Sequence, residues 1–205
     1  MRTISVRGRA ECSRVPDVAE LVCTVRGEDA EYEKAYAALN DALAALYAAF
    51  EKEGYRKGDF KTGIFRVNRK KSYVREENVN REVFAGYEFT NVLTLRFPCE
   101  TERLNRAAHT AANSGATDFS LHFSLKNDDD FKSELLKAAC KDAKARAQVI
   151  AAACGVQLGA ISEIRQDGEA RSFAAVRAFA ADSAVNIAPE EIRASETVDV
   201  VWEIF

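Results

Sequence analysis

Proline and histidine are scarce in this chain, and each scarcity excludes something. With 3 prolines and 10 glycines in 205 residues, the sequence is neither fibrous nor a low-complexity linker. Two histidines, without HxxxH spacing, leave little material for a zinc centre or a histidine-based catalyst. No apolar run approaches the roughly 18 to 20 residues of a helical membrane span. The five cysteines (Cys12, Cys23, Cys99, Cys140, Cys154) are scattered without CxxC spacing. Three of them fall on faces that read as buried, so the expectation is reduced structural thiols. A net charge of -3 argues against whole-surface attraction to nucleic acid or anionic membrane, although a local basic patch is invisible in that sum. What is present is ordinary globular material: 47% hydrophobic and 30% charged residues, enough to build a core without staples.

The pattern along the chain is one of alternating strands and amphipathic helices. Ile4, Val6, Gly8 and Ala10 alternate with Thr3, Ser5, Arg7 and Arg9. After Val15-Pro16-Asp17 a second run places Ala19, Leu21, Cys23 and Val25 on one face. These two runs predict an opening β-hairpin. The start leads straight into strand with no apolar leader, which predicts a cytoplasmic chain, or a periplasmic or extracellular one if a leader has been trimmed. Asp29 is placed to cap a helix whose Tyr32, Tyr36, Leu39, Leu43, Leu46 and Phe50 recur at spacings of four and three, with Gly54 as its stop.

Phe60 to Arg75 and Phe84 to Phe97 read as the arms of a long hairpin with its tip near Glu76 to Asn80. Thr101 is the expected N-cap of a short helix, followed by a strand through Phe119, Leu121, Phe123 and Leu125. Asn127-Asp128-Asp129-Asp130 then opens the longest helix, the acids suiting the positive end of its dipole. Its inner face is read as Leu135, Ala139, Ala143, Ala147, Ile150 and Cys154. Gly155 ends it, and strands follow at Leu158 to Arg165 and Val198 to Ile204. The segment 169–188 is apolar but aperiodic and reads as an insertion. The order ββαββ-αβαββ predicts an α+β fold with antiparallel or mixed sheet against a few helices. It is expected as a single domain, 1–205, with two lobes of roughly 1–97 and 98–205.

Several of these pieces together resemble the SIMPL (DUF541) family, which includes bacterial periplasmic immunogenic and oxidative-stress-defence proteins. They are Ile4-Ser5-Val6-Arg7-Gly8, Val15-Pro16-Asp17, Gly86-Tyr87 with Asn91, and Gly115-Ala116 before Phe123-Ser124-Leu125. The alanine repeat 139, 143, 147 and 151, the turn Gly155-Val156-Gln157-Leu158-Gly159, and Pro189 before the last strand complete the set. The resemblance implies a compact α+β domain, a tendency of some members to form ring-like or channel-like oligomers, and an association with stress responses or signalling partners. It brings no catalytic residues.

The densest charge feature is basic: Arg56, Lys57, Lys61, Arg66, Arg69, Lys70, Lys71 and Arg75 against Asp59 alone. Lys61, Arg66, Arg69, Lys70, Lys71 and Arg75, with Tyr73 to stack a base, form a candidate polyanion site. Glu76, Glu77 and Glu82 across the turn are placed to neutralise it, which favours a solvated or subunit-facing hairpin. Asn91 shares a strand face with Tyr87, Phe89 and Leu93, and a buried amide there is expected to bond to neighbouring backbone. His109 and His122 read as surface histidines. Asp128, Asp129 and Asp130 read as helix-capping acids, lacking the glycine and distal glutamate of a calcium loop. Cys12, with Arg14 nearby, and Cys99 are the thiols a redox sensor would use. No cofactor is expected. The reading that results is a non-enzymatic protein acting through self-assembly or a protein partner, with nucleic-acid or polyanion binding by hairpin 61–75 as the alternative.

Overall fold

The computed structural model describes residues 2–76, 79–166, 171–173 and 187–205; side chains are described outside 73–81 and 171–173. The fold is α+β, with helices laid on antiparallel sheet. Its described elements run β1 (Thr3–Arg14), β2 (Val18–Asp29), α1 (Tyr32–Lys52), β3 (Phe60–Glu76), β4 (Val79–Pro98), α2 (Thr101–Ala112), β5 (Asp118–Ser124), α3 (Asp128–Ala153), β6 (Leu158–Gln166), β7 (Arg171–Phe173) and β8 (Ile192–Ile204). A 3-10 turn, Lys57–Asp59, precedes β3.

The chain divides into two compact units, cut after Pro16 and after Phe123 rather than near residue 97. The first contains β1, α3, β6, β7 and β8. Here β8 is central: β1 pairs along one side, from Thr3 opposite Glu203 to Arg14 opposite Ile192. On its other side β6 pairs with residues 198–204 and β7 with 193–195. The second unit contains a sheet in the order β3-β4-β2-β5, covered by α1 and α2.

The expected hairpin of the first two strands is therefore wrong. β1 pairs with β8 and β2 with β4, in an unbroken register from Val18 opposite Pro98 to Asp29 opposite Tyr87. Both strands alternate as read, but alternation specifies a face to bury and not a partner to pair with. The long hairpin of β3 and β4 is present, with Glu76 opposite Val79. Of the 169–188 insertion, Arg171–Phe173 form β7, while 174–186 lie outside the described residues.

In each unit a glycine lets a helix approach its sheet closely. A Cβ on Gly8 of β1 would lie 2.2 Å from the Ala139 carbonyl oxygen of α3, and one on Gly27 of β2 would lie 2.4 Å from that of Ala35 in α1. In α3 the facing positions are accordingly small. The buried stripe of α3 is Phe131, Leu135, Ala139, Ala143, Ala147 and Ala151, one residue in four. Ile150 and Cys154, expected on that face, are exposed. The i+4 row continues through Ala151, so the larger side chains turn outward. In α1 the buried set is Ala35, Leu39, Leu46 and Phe50, while Tyr32 and Tyr36 lean half-exposed over Phe89.

Two capping expectations also change. Glu31 and not Asp29 occupies the N-cap of α1, and Asp29 Oδ1 accepts the Glu31 N–H at 2.9 Å. Glu100 precedes α2, making Thr101 its first helical residue.

Candidate functional site

The exposed face of the second unit is dominated by β3. This strand is the edge of its sheet among the described residues, and every side chain from Lys61 to Ser72 is exposed. Register shifts interrupt its pairing with β4 at Thr62/Ile64 and at Lys70/Lys71. Between them lies a regular window, Ile64 opposite Val92 through Lys70 opposite Gly86. Because side chains alternate along a strand, Phe65, Val67 and Arg69 share the face that α1 covers farther along. Ile64, Arg66, Asn68 and Lys70 share the opposite face. Phe65, Ile64 and Val67 are 54%, 48% and 42% exposed, because α1 sits over β2 and β4 and stops short of the edge.

The candidate basic residues fall into different states. Lys71 pairs with Glu82, and Lys70 pairs with Glu28, whose carboxyl is held below its ordinary range chiefly by that bond. The cross-strand neutralisation expected from Glu82 is thus present. Lys61 donates to the Gly58 carbonyl at 2.8 Å. The Arg69 guanidinium lies 5.0 Å from the centre of the Phe84 ring, a cation–π contact that leaves its hydrogen-bond donors outward. Arg66 meets no carboxylate among the described residues. The side chains of Tyr73, Arg75, Glu76 and Glu77 lie outside the described residues, so the structure gathers Lys61, Arg66, Arg69, Lys70 and Lys71 on one strand and does not extend to the rest.

Asn91 lies opposite Phe65 on one side and Val25 on the other, only 8% exposed on the strand face it shares with Phe89 and Leu93. Its Oδ1 has no hydrogen-bond partner among the described residues. The expected bond to neighbouring backbone is absent at this atom because the strand carbonyls and amides beside it are already used in the ladders to β2 and β3.

The remaining candidates separate by environment. His109 is exposed on α2, and His122 is exposed with its Nε2 3.1 Å from Ser120 Oγ. No group of three or more His, Cys, Asp or Glu residues converges to hold a metal among the described residues. The three acids stand in the first turn of α3 after Asn127, with Lys132 2.8 Å from Asp128. All five cysteines are free thiols. Cys23 is buried, and desolvation pushes its thiol up to about 12. Burial first, and the Asp17 charge second, also raise Cys99, which disfavours the thiolate a sensor needs. Cys12 is half-buried opposite Ala194, and Arg14 turns instead to Glu134, at 2.6 Å, and to the Phe131 ring. The hint of an activating arginine at Cys12 therefore fails.

Sequence reasoning missed the second exposed edge. β6 has exposed side chains from Ala160 to Gln166, with Ile161 53% and Ile164 60% exposed. Their signal was present in Ile161-Ser162-Glu163-Ile164-Arg165, whose two isoleucines cannot share one face of a regular strand.

These features define a class: a two-unit α+β protein with helices on antiparallel sheets and apolar side chains held on exposed strand edges. The chain belongs to the SIMPL family, described as a protein of unknown function (DUF541), which it matches over residues 4–202. It is also similar to the 26 kDa periplasmic immunogenic proteins of Brucella melitensis biotype 1 and Brucella abortus strain S19. To each it is 28% identical over 213 residues, covering 98% of this chain and 84% of the relative. Among the described residues no helix is long and apolar enough to cross a membrane.

Proposed function

We propose that this protein works by non-covalent association, through self-assembly or capture of a protein partner, and not by catalysis. The observation that carries the reading is that two strands at sheet edges among the described residues, β3 and β6, hold Ile64, Phe65, Val67, Ile161 and Ile164 exposed. Unpaired edges with apolar side chains are templates for further strands, and long ones are normally blunted in proteins that stay alone. A single family match running through both units supports treating residues 1–205 as one functional domain.

Light scattering on the intact chain under reducing conditions, across concentration and salt, tests this. A closed oligomer that dissociates in the Ile161→Lys, Ile164→Lys variant supports assembly through β6. A strict monomer that also captures nothing through either edge contradicts the reading.

A second reading rests on the five cations between positions 61 and 71, a span without a single acidic residue. It takes a polyanion as ligand, and its mark is a salt-dependent shift of single-stranded nucleic acid that disappears when Arg69, Lys70 and Lys71 become Glu. For the compartment, the relatives' names indicate the periplasm, whereas five free thiols suit a reducing one. Fractionation of cells with thiol labelling separates the two. The stress association rests on the family resemblance, and a change in oxidant sensitivity on deletion is its test.

A further inference from the structure

We infer that the Ile64–Lys70 window of β3 is a docking edge for an extended acidic peptide segment, which adds to the sheet as a fifth strand. The inference deepens the partner-binding reading above by assigning one edge and the chemistry of its occupant.

Three independent features of the window converge. The first is the backbone. Seven consecutive residues hold continuous register with Val92 to Gly86 on one side, while no described strand pairs with them on the other. Their outward amides and carbonyls therefore stand ready for a ladder. The second is the side-chain division. On the α1 face Phe65 and Val67 offer apolar surface, with Phe89 6.3 Å from the Phe65 ring and Tyr36 5.5 Å from Phe89. A partner strand fits by placing every second residue, an apolar one, over that face. The third is charge. Arg66 meets no carboxylate among the described residues, and Arg69 is held only against the Phe84 ring. An incoming strand whose other residues are acidic meets Arg66 on the opposite face, where Lys70 is already paired with Glu28 and Glu88 accepts from Asn68, and Arg69 at the end of the apolar one.

Charge also decides between occupants. Lys70 and Lys71 are neutralised by Glu28 and Glu82, but antiparallel pairing of β3 with a second copy of itself would still bring two sets of Arg66 and Arg69, which meet no carboxylate among the described residues, together across one ladder. Like charges placed across a ladder repel, and basic edges are a recognised guard against self-pairing. A nucleic acid would satisfy the cations but has no strand backbone to complete the ladder. An acidic, alternating peptide satisfies the ladder, the apolar face and the charge together.

The test uses the full chain and a fluorescein-labelled decapeptide alternating glutamate and valine, titrated by anisotropy at about 50 mM salt. Its companions are the same peptide N-methylated at alternate residues, a polyglutamate peptide, and oligothymidylate. The expected result is micromolar binding of the Glu/Val peptide, lost on N-methylation and weakened about tenfold with polyglutamate, which lacks the apolar face. Arg66→Glu, Arg69→Glu is expected to weaken binding by about tenfold or more, with far-UV circular dichroism and thermal midpoint unchanged. The inference is overturned if the Glu/Val peptide fails to bind at about 500 µM, or if N-methylation changes nothing. It is equally overturned if oligothymidylate binds more tightly with the same dependence on Arg66 and Arg69. Failure of the peptide while the protein still assembles in light scattering removes this edge assignment and leaves association through β6 standing.

Discussion

Replacing Gly8 with alanine is predicted to destabilise the first unit well beyond what one methyl group suggests. The new Cβ would sit 2.2 Å from the Ala139 carbonyl oxygen, 2.6 Å from the Ala143 amide nitrogen and 2.6 Å from the Ala143 Cβ. An ordinary carbon–oxygen contact needs about 3.3 Å, so α3 and β1 must separate by about 1 Å. None of the three is the tip of a flexible side chain, and two of them are helix backbone. Separation would loosen the packing of Ala139, Ala143 and Ala147 against Val6, Val198, Val200 and Trp202. Overpacking typically costs about 1–3 kcal/mol, and the rigid obstacle puts this site at about 3. The lower entropy of the unfolded alanine chain offsets about 0.4–1 kcal/mol. The net loss is therefore about 2–3 kcal/mol, or a midpoint lowered by about 4–12 °C for a chain of this size. Urea and thermal unfolding followed by circular dichroism measure both. Gly58→Ala is the control, since a Cβ there meets nothing within 4 Å and its φ is not in the left-handed range; it should be neutral or slightly stabilising. A Gly8→Ala protein within about 0.5 kcal/mol of the parent would refute the close-approach argument.

Three further outcomes follow from single environments. Asn91→Leu should stabilise the chain by about 1 kcal/mol, because it removes a buried oxygen that has no partner among the described residues; a clear loss in the same unfolding assay would mean the amide holds something the fold needs. In native alkylation read by mass spectrometry, Cys140 and Cys154 should label first and Cys23 only on unfolding, given its burial and its thiol at about 12; early labelling of Cys23 would contradict its placement. Asp199, bonded by Arg7, and Asp142, bonded by the Arg9 amide and then Arg146, titrate below the ordinary 3.8 in the folded chain. Their contribution is complete above that value and is lost as pH falls through the lower folded one, so acid unfolding should begin below about pH 4 and Asp199→Asn should flatten it.

Local elements were legible because their physics is local. Period-two alternation marks Ile4 to Ala10 and Tyr87 to Phe97 as strands wherever they pair, and Gly54 and Gly155, at φ +87° and +68°, end their helices as read. Pairing was legible only where the two strands adjoin closely in sequence, as in β3 and β4. The partner of β1 lies 192 residues away at Asp199 opposite Arg7, and no periodicity carries that information. The stripe of α3 slipped by one residue at its end because Ile150 and Ala151 are neighbours, and hydropathy favours the larger one that the close-packed face has no room for. For the candidate site, the run of cations was visible, but not which were neutralised. Glu28 reaches Lys70 from β2, 42 residues away, through a strand order that the sequence does not print. The orphaned Oδ1 of Asn91 was likewise invisible, since alternation locates a buried amide without showing whether a donor faces it.

Hydrogen exchange of the backbone amides, residue by residue, tests the central claim that the exposed edges are association surfaces. As protein concentration rises without a partner, added protection should be confined to the outward amides of β6, while those of Ile64 to Lys70 continue to exchange. Addition of the alternating Glu/Val peptide should then protect the Ile64–Lys70 window. If neither edge gains protection under either condition, the edges are ordinary solvated strands and association through them is wrong.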